Sequence, residues 1–213
     1  WDQGNLSLVE SISDDALHSL NDVAATGSRS FYATNDHGAR GPVGRTLEDY
    51  RRLRRANVVY WDGRRATQVA GGIGYANGVA LSADGDRVYV ASPTRGAIHV
   101  FDRRGGSGQL DPVRRIEIGS GVDNITVSGG ELWVGAHPKL LSFVAHSRDQ
   151  ASLSPSEVWR IDPDDASSAD SSADVVWRDS GERLSGVSVA VPWDGRLLLG
   201  SVFEPHFLVC RLD

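Results

Sequence analysis

Asn21 and Asp22, Asn77, and Asp123 and Asn124 bring amide and carboxylate oxygens to short motifs that recur along the chain. Such oxygens are hard ligands, and Ca²⁺ takes about 6–8 of them at about 2.3–2.6 Å in a loose geometry. Two carboxylates with three amides leave a bound Ca²⁺ close to neutral. No cluster of Cys and His at zinc spacing occurs, so softer metals fit poorly. Taken singly, each motif is ordinary, because Asn and Asp before strands make Asx-turns and Asn-Gly is common turn chemistry. Recurrence at one place in a repeat is what points to a shared site.

The repeat supplies the elements that position these residues. Four segments share one shape: LNDVAATGSRSFYATN from Leu20, ANGVALSADGDRVYVAS from Ala76, VDNITVSGGELWVGAH from Val122 and SGVSVAVPWDGRLLLGS from Ser185. Each opens on small or polar residues, continues as a strand rich in β-branched residues, turns at glycine and returns as a second strand. The turns at Ala83-Asp84-Gly85-Asp86, Ser128-Gly129-Gly130 and Trp193-Asp194-Gly195 have tight-hairpin chemistry. Third strands are expected at 57–61, 97–101 and 157–161, giving about four strands per unit, as in a propeller blade. A β-sandwich, the competing all-β reading, would not require this recurrence. In a propeller the inner strand of each blade starts at the axis, so the motifs of consecutive blades converge there. The fourth unit offers Ser185-Gly186 at that place.

Composition agrees with a turn-rich globular chain: 213 residues, 40% hydrophobic, 24 glycines and a net charge of −6. The arginines are scattered apart from Arg40 to Arg55, so nucleic-acid binding has little electrostatic support. Within that stretch Thr46 to Tyr50 reads as a short surface helix with a charged, solvated face; a polyanion or membrane-surface patch is the alternative. Residues 162–174 are rich in Asp, Ser and Ala and read as an exposed loop with no assigned chemistry. The chain starts at Trp1 and contains no Met, so a natural N-terminus is not expected here. The lone Cys210 is either a buried free thiol or half of a disulfide with its partner elsewhere.

These residues resemble the paraoxonase/arylesterase family. The resemblance rests on Asn21-Asp22-Val23 with Phe31-Tyr32-Ala33-Thr34-Asn35-Asp36-His37, on Ala76-Asn77-Gly78-Val79 with Arg87-Val88-Tyr89, and on His99-Val100-Phe101. It continues through Val122-Asp123-Asn124-Ile125 with Leu132-Trp133-Val134-Gly135-Ala136-His137-Pro138, and ends on Gly200-Ser201-Val202-Phe203 with Cys210. It implies an all-β, six-bladed β-propeller of which residues 1–213 supply about the last four blades. It also implies two Ca²⁺ ions in the central tunnel and hydrolysis of small-molecule lactones and aryl esters. Carried over by motif, Asn21, Asn77, Asp123 and Asn124 hold the catalytic ion and Asp22 the structural one. Tyr75 lines the substrate pocket, His137 stands on the pocket wall near the substrate, and His37 has a structural role beneath the metals. Cys210 becomes one half of a disulfide, and the resemblance implies secretion.

The family's first acidic ligands, its histidine dyad, its first blades and its closing strand have no counterpart in this sequence. The chain by itself is therefore expected to have little activity, with sheet edges left unpaired. The family's helix after the TNDH strand is apolar, whereas Arg40 to Arg55 is highly charged, which puts lipid or membrane association in doubt. The alternatives are a sugar-lactonase or strictosidine-synthase-like propeller and a non-catalytic propeller scaffold. Calcium-dependent ester turnover separates the hydrolase from the scaffold.

Overall fold

A computed structural model describes residues 7–165 and 173–212. Strands β1 (Leu20–Ala25), β2 (Phe31–Asn35), β3 (Ala56–Trp61) and β4 (Ala66–Ile73) pair in that order as one antiparallel sheet. The second sheet has β5 (Val79–Leu81), β6 (Arg87–Ser92), β7 (Ala97–Arg104) and β8 (Gln109–Glu117). The third has β9 (Gly121–Ser128), β10 (Glu131–His137), β11 (Ser156–Ile161) and β12 (Ala173–Asp179). The fourth contains three strands among the described residues: β13 (Val187–Trp193), β14 (Arg196–Ser201) and β15 (Leu208–Arg211). Two helices, α1 (Pro42–Arg51) and α2 (Leu140–His146), interrupt the first and third sheets after their second strands.

The paired strands fall where the four-unit repeat predicts them, and the third strands of the first three units do too. Their turns show why. Gly129 and Gly130 both have positive φ, 63° and 85°, and so do Asp194 and Gly195, 49° and 67°. Two consecutive positive φ values twist a two-residue loop to match the flanking strands, and Gly or Asp adopts them at least cost.

Three apolar clusters lie between consecutive sheets. Tyr32, Val58, Tyr60 and Ile73 of the first sheet pack on Val79, Val88, Val90 and Phe101 of the second. Tyr89, Ile98, Val100 and Ile116 then pack on Ile125, Leu132 and Ile161 of the third. Trp133 and Val158 close on Val187, Leu197 and Leu199 of the fourth. Middle strands are covered on both faces, which is why all six residues of β3, ANVVYW, are buried rather than alternating. Truncating a fully buried Leu132 or Ile98 to alanine would cost about 2–5 kcal/mol. The Tyr32 hydroxyl, also buried, donates to Gly108 O at 3.0 Å and ties the first sheet to the β7–β8 turn.

Helix α1 lies where Thr46 to Tyr50 predicts a helix, with Pro42 at its start and Arg52 closing it in the left-handed conformation. Its polar residues are not all solvated. Glu48 is only 4% exposed and accepts from Gly38 N at 3.0 Å, while Arg45 donates to Ala39 O and His18 O. Arg45 and Glu48 brace the loop after β2, while Arg40, Asp49, Arg51, Arg52, Arg54 and Arg55 form the exposed, charged face expected of this stretch. Helix α2 has no counterpart in the sequence reading, because LLSFVAH is too short to set up helical periodicity. Of the loop expected over 162–174, residues 166–172 lie outside the described residues; Pro163 O accepts from Arg114 and Asp164 pairs with Arg87. No described helix is long and apolar enough to cross a membrane.

Candidate metal centre

The Asx motifs sit on irregularities of the inner strands. Between β1 and β2 the register runs from Leu20↔Asn35 to Val23↔Ala33, so β1 carries one extra residue across Asn21 and Asp22. Between β9 and β10 it runs from Val122↔Ala136 to Ile125↔Val134, placing the extra residue across Asp123 and Asn124. Just before β5, Asn77 and Gly78 share one partner: Asn77 N donates to Ala91 O and Ala91 N donates to Gly78 O, both at 2.9 Å. In the fourth sheet the extra residue falls at Ser188, beyond the Ser185-Gly186 pair. A bulge breaks the strict in-and-out alternation and re-aims adjacent side chains. Here it does so at the oxygen donors of three consecutive sheets.

The three bulges are joined to one another. Asp22 accepts from Val23 N at 2.7 Å through Oδ1 and from Val79 N at 2.8 Å through Oδ2, which ties β1 to β5. Thr34 Oγ1 accepts from Asp22 N at 3.0 Å and donates to Asn77 O at 2.7 Å. Gly78 lies flat on the next bulge: a Cβ there would sit 2.7 Å from Asp123 O and 2.8 Å from Asn124 Cα. Only a residue without a side chain allows that approach.

The donor atoms fit a hard cation. Among the described residues the side-chain amides of Asn21, Asn77 and Asn124 have no hydrogen-bond partner, and neither does Asp123 Oδ1. Asp22 is more committed, although each of its oxygens keeps a lone pair. No group of three or more His, Cys, Asp or Glu side chains able to hold a metal occurs among the described residues. A site here is therefore dominated by amides, and Asn21, Asn77, Asp123 and Asn124 alone fall short of a Ca²⁺ shell of about 6–8 oxygens.

His137, at the end of β10, is 2% exposed, and its Nε2 lies 3.1 Å from Asp123 Oδ2. Its ring stacks on Phe143 of α2 at 3.8 Å between centroids and 18° between planes. Phe143 in turn fits over Gly186, whose φ is +63° and whose missing Cβ would lie 3.0 Å from the ring. Gly186 is named in the sequence only as part of the fourth unit's Ser185-Gly186 and Phe143 not at all; the histidine-facing ring becomes visible only once α2 is folded against the fourth sheet. His137 Nδ1 is buried and has no partner.

His37 is clamped between Asp36 Oδ1 at 2.8 Å and Asp49 Oδ1 of α1 at 2.9 Å, with its ring edge-on to Tyr75 at 5.1 Å. Tyr75 has φ +56°. Burial pushes its phenol up, and the carboxylates of Asp36, Asp49 and Asp123 push it further, so it stays protonated. An open cavity of about 510 Å³ is lined by His137 but not by Tyr75. Contacts between neighbouring strands thus link Asp22 to Val79, Thr34 to Asn77, Gly78 to Asp123 and Asn124, and Asp123 to His137, and Tyr75 sits against His37.

A family model described as Arylesterase matches residues 2–212. The chain belongs to the arylesterase family. This arylesterase chain is 37% identical to serum paraoxonase/arylesterase 1 of Rattus norvegicus, with 99% of the chain covered and 58% of the relative. It is 34% identical to serum paraoxonase/arylesterase 2 of Homo sapiens, with the same coverage of 99% and 58%. The chain thus spans 58% of the length of these relatives. Among solved structures it resembles the periplasmic gluconolactonase of Pseudomonas aeruginosa, with a TM-score of 0.53, 16% identity, and 91% and 57% of the two chains covered. It also resembles regucalcin, a calcium-binding protein of Agrobacterium tumefaciens, with a TM-score of 0.52, 13% identity, and 87% and 55% covered. At these identities the likeness shows the fold, a propeller-like succession of four antiparallel sheets.

Within the arylesterase chain Cys210 is a free cysteine on β15, partly buried against the core between the third and fourth sheets.

Proposed function

We propose that this arylesterase-family chain supplies four blades of a six-bladed, calcium-dependent hydrolase of lactones and aryl esters. In this reading Asn21, Asn77, Asp123 and Asn124 hold a catalytic Ca²⁺, and Asp22 contributes to a second, structural ion. One observation carries it: an extra strand residue recurs at the Asx donors of three adjacent sheets, and those three places are joined through Val79 and Gly78. Relatives that are arylesterases by name support the reaction class. The length spanned, and the exposure of Val23 in the first sheet and of Val191 and Val209 in the fourth, support further blades packing between the first and fourth sheets, with this chain as about the last four.

When bound, Ca²⁺ supplies Lewis-acid polarisation of the ester or lactone carbonyl and stabilises the oxyanion that develops on it. The chain's own residues do the rest. Asp123 holds the Nε2–H tautomer of His137. That leaves His137 Nδ1 as an acceptor toward the substrate or the attacking water. Phe143 fixes the plane of the ring, and Gly186 makes room for Phe143. Tyr75 and His37, pinned by Asp36 and Asp49, stiffen the wall beside Asp123. Remaining ligands and the general base that activates water come from the blades outside this chain.

We further propose secretion, supported by the serum relatives, and that Cys210, a free cysteine here, pairs in a disulfide with a cysteine outside this chain. The deciding test is lactone and aryl-ester hydrolysis by the protein in its full natural length, with Ca²⁺, with chelator, and as Asp123→Ala. Loss of turnover in the chelated and variant samples is expected. Turnover insensitive to both would remove the metal from the mechanism.

A further inference from the structure

Resting on the hydrolase reading, the cavity beside His137 carries information about the substrate. It is formed by the β6–β7 turn, the β8–β9 connection, the start of α2 and the end of α1. Gly96, with φ +61°, lets the first of these pack on the second: Ile118 N and Gly119 N both donate to Gly96 O, at 2.8 and 2.9 Å. Three cations line the space, Arg52, Arg95 and Lys139, and no lining residue is acidic. None of the three makes an ion pair among the described residues.

The arrangement is held rather than floppy. Arg95 Nη2 donates to Arg52 O at 2.8 Å, and the Arg95 stem lies over Gly74, where a Cβ would come within 3.2 Å of its Cγ. Two residues of the cavity wall also carry buried polar atoms without partners among the described residues. Ser120, 5% exposed, has a buried hydroxyl that bonds to nothing, and Arg95 Nε is likewise buried and unpaired. Buried donors left unpaired cost free energy, and a turn of either side chain toward a bound acceptor would recover it. A guanidinium beside a second cation and a hydroxyl is matched by a planar carboxylate. His137 lines the same cavity and is bonded to Asp123, which sets this lobe next to the Asp123–His137 pair.

We infer that the cavity is an acidic-arm subsite: the substrates are esters or lactones whose scissile group is followed by a chain ending in carboxylate. The measurement is phenol release by the full-length protein from phenyl hydrogen glutarate and from its neutral match, phenyl methyl glutarate. The ratio of kcat/KM values should favour the acid by about tenfold or more, mainly through KM, as expected for a charge-assisted hydrogen bond. Arg95→Gln and Lys139→Gln should each lower that ratio several-fold, and Arg95→Lys should restore part of it. An unchanged ratio in both glutamine variants, or a preference for the neutral ester in the parent protein, would overturn the subsite.

A binding arm separates this idea from the hydrolase reading. Calorimetric titration with glutarate should show binding that survives Asp123→Ala and weakens in Lys139→Gln, an exposed position outside the core. Glutarate binding without turnover of either ester would uphold the subsite and overturn the hydrolase. Absence of glutarate binding would overturn the subsite whatever the esterase activity.

Discussion

Asp123 and His137 face each other across the β9–β10 hairpin, Oδ2 to Nε2 at 3.1 Å, both nearly excluded from solvent. One Asp123 oxygen is thereby committed to orienting a ring, and the other has no partner among the described residues. The pair joins the β9 bulge to a residue that lines the cavity.

Replacing Asp123 tests both halves of that coupling. Asp123→Ala in the full-length protein is expected to weaken Ca²⁺ binding by about 100-fold or more, beyond the range seen when outer-shell partners are removed. It also leaves His137 Nε2 without its acceptor, at a cost of about 1–3 kcal/mol. Calcium titration calorimetry and thermal melting in chelator read the two effects separately. Unaltered calcium affinity would exclude Asp123 as a ligand.

Gly78 is the hinge between two donor sites. In Gly78→Ala the new methyl would press on Asp123 O and Asn124 Cα, which are backbone atoms that cannot swing aside. A destabilisation of about 1–3 kcal/mol is expected from such overpacking. Calcium affinity should fall with it, because the β9 bulge must shift. A variant with native melting temperature and native calcium affinity would show that the two strands are not in the contact described.

Gly186 acts through Phe143. An alanine there meets both a left-handed backbone and the Phe143 ring, and about 2–4 kcal/mol of stability should be lost. Phe143→Leu relieves the steric part, so the double variant should be less destabilised than the sum of the singles. Strict additivity in denaturant melts would separate the two residues.

His99 gives the protein an acid-sensitive element away from the site. Its ring is held down to about 4, first by burial and then by the charges of Arg115 and Arg54, against a weaker opposing pull from Glu117. The unfolded chain takes up this proton near pH 6.5 and the folded chain only near 4. Between those values the unfolded state binds more protons, so stability falls as pH falls from about 6.5 toward 4 and levels off below. The slope from this one group is at most about 1.4 kcal/mol per pH unit. His99→Gln should flatten the curve in that window, as measured by urea melts at stepped pH. An identical slope in the variant would assign the acid sensitivity to other groups.

The repeat was legible in the sequence because its signals are local. Alternating β-branched residues specify strands, and Ser128-Gly129-Gly130 and Asp194-Gly195 specify hairpins through φ values that few residues adopt. The Asx donors could be named from their recurring place in each unit, and the family from the strings around them. Other features needed the folded chain. The extra residue at each Asx pair is a property of register, which depends on the partner strand rather than on the motif. Gly78 against Asp123, Asp22 on Val79, Phe143 on His137 and Asp49 on His37 join residues from separate elements. Most arginines of the charged stretch are exposed, as their sequence suggests, but sequence shows charge and not position. Only packing puts Arg52 beside Arg95 and Lys139, around a cavity that no acidic side chain enters. Local backbone preference and solvation are written residue by residue; cavities and long-range contacts arise when distant loops share one space, and that the tertiary structure alone decides.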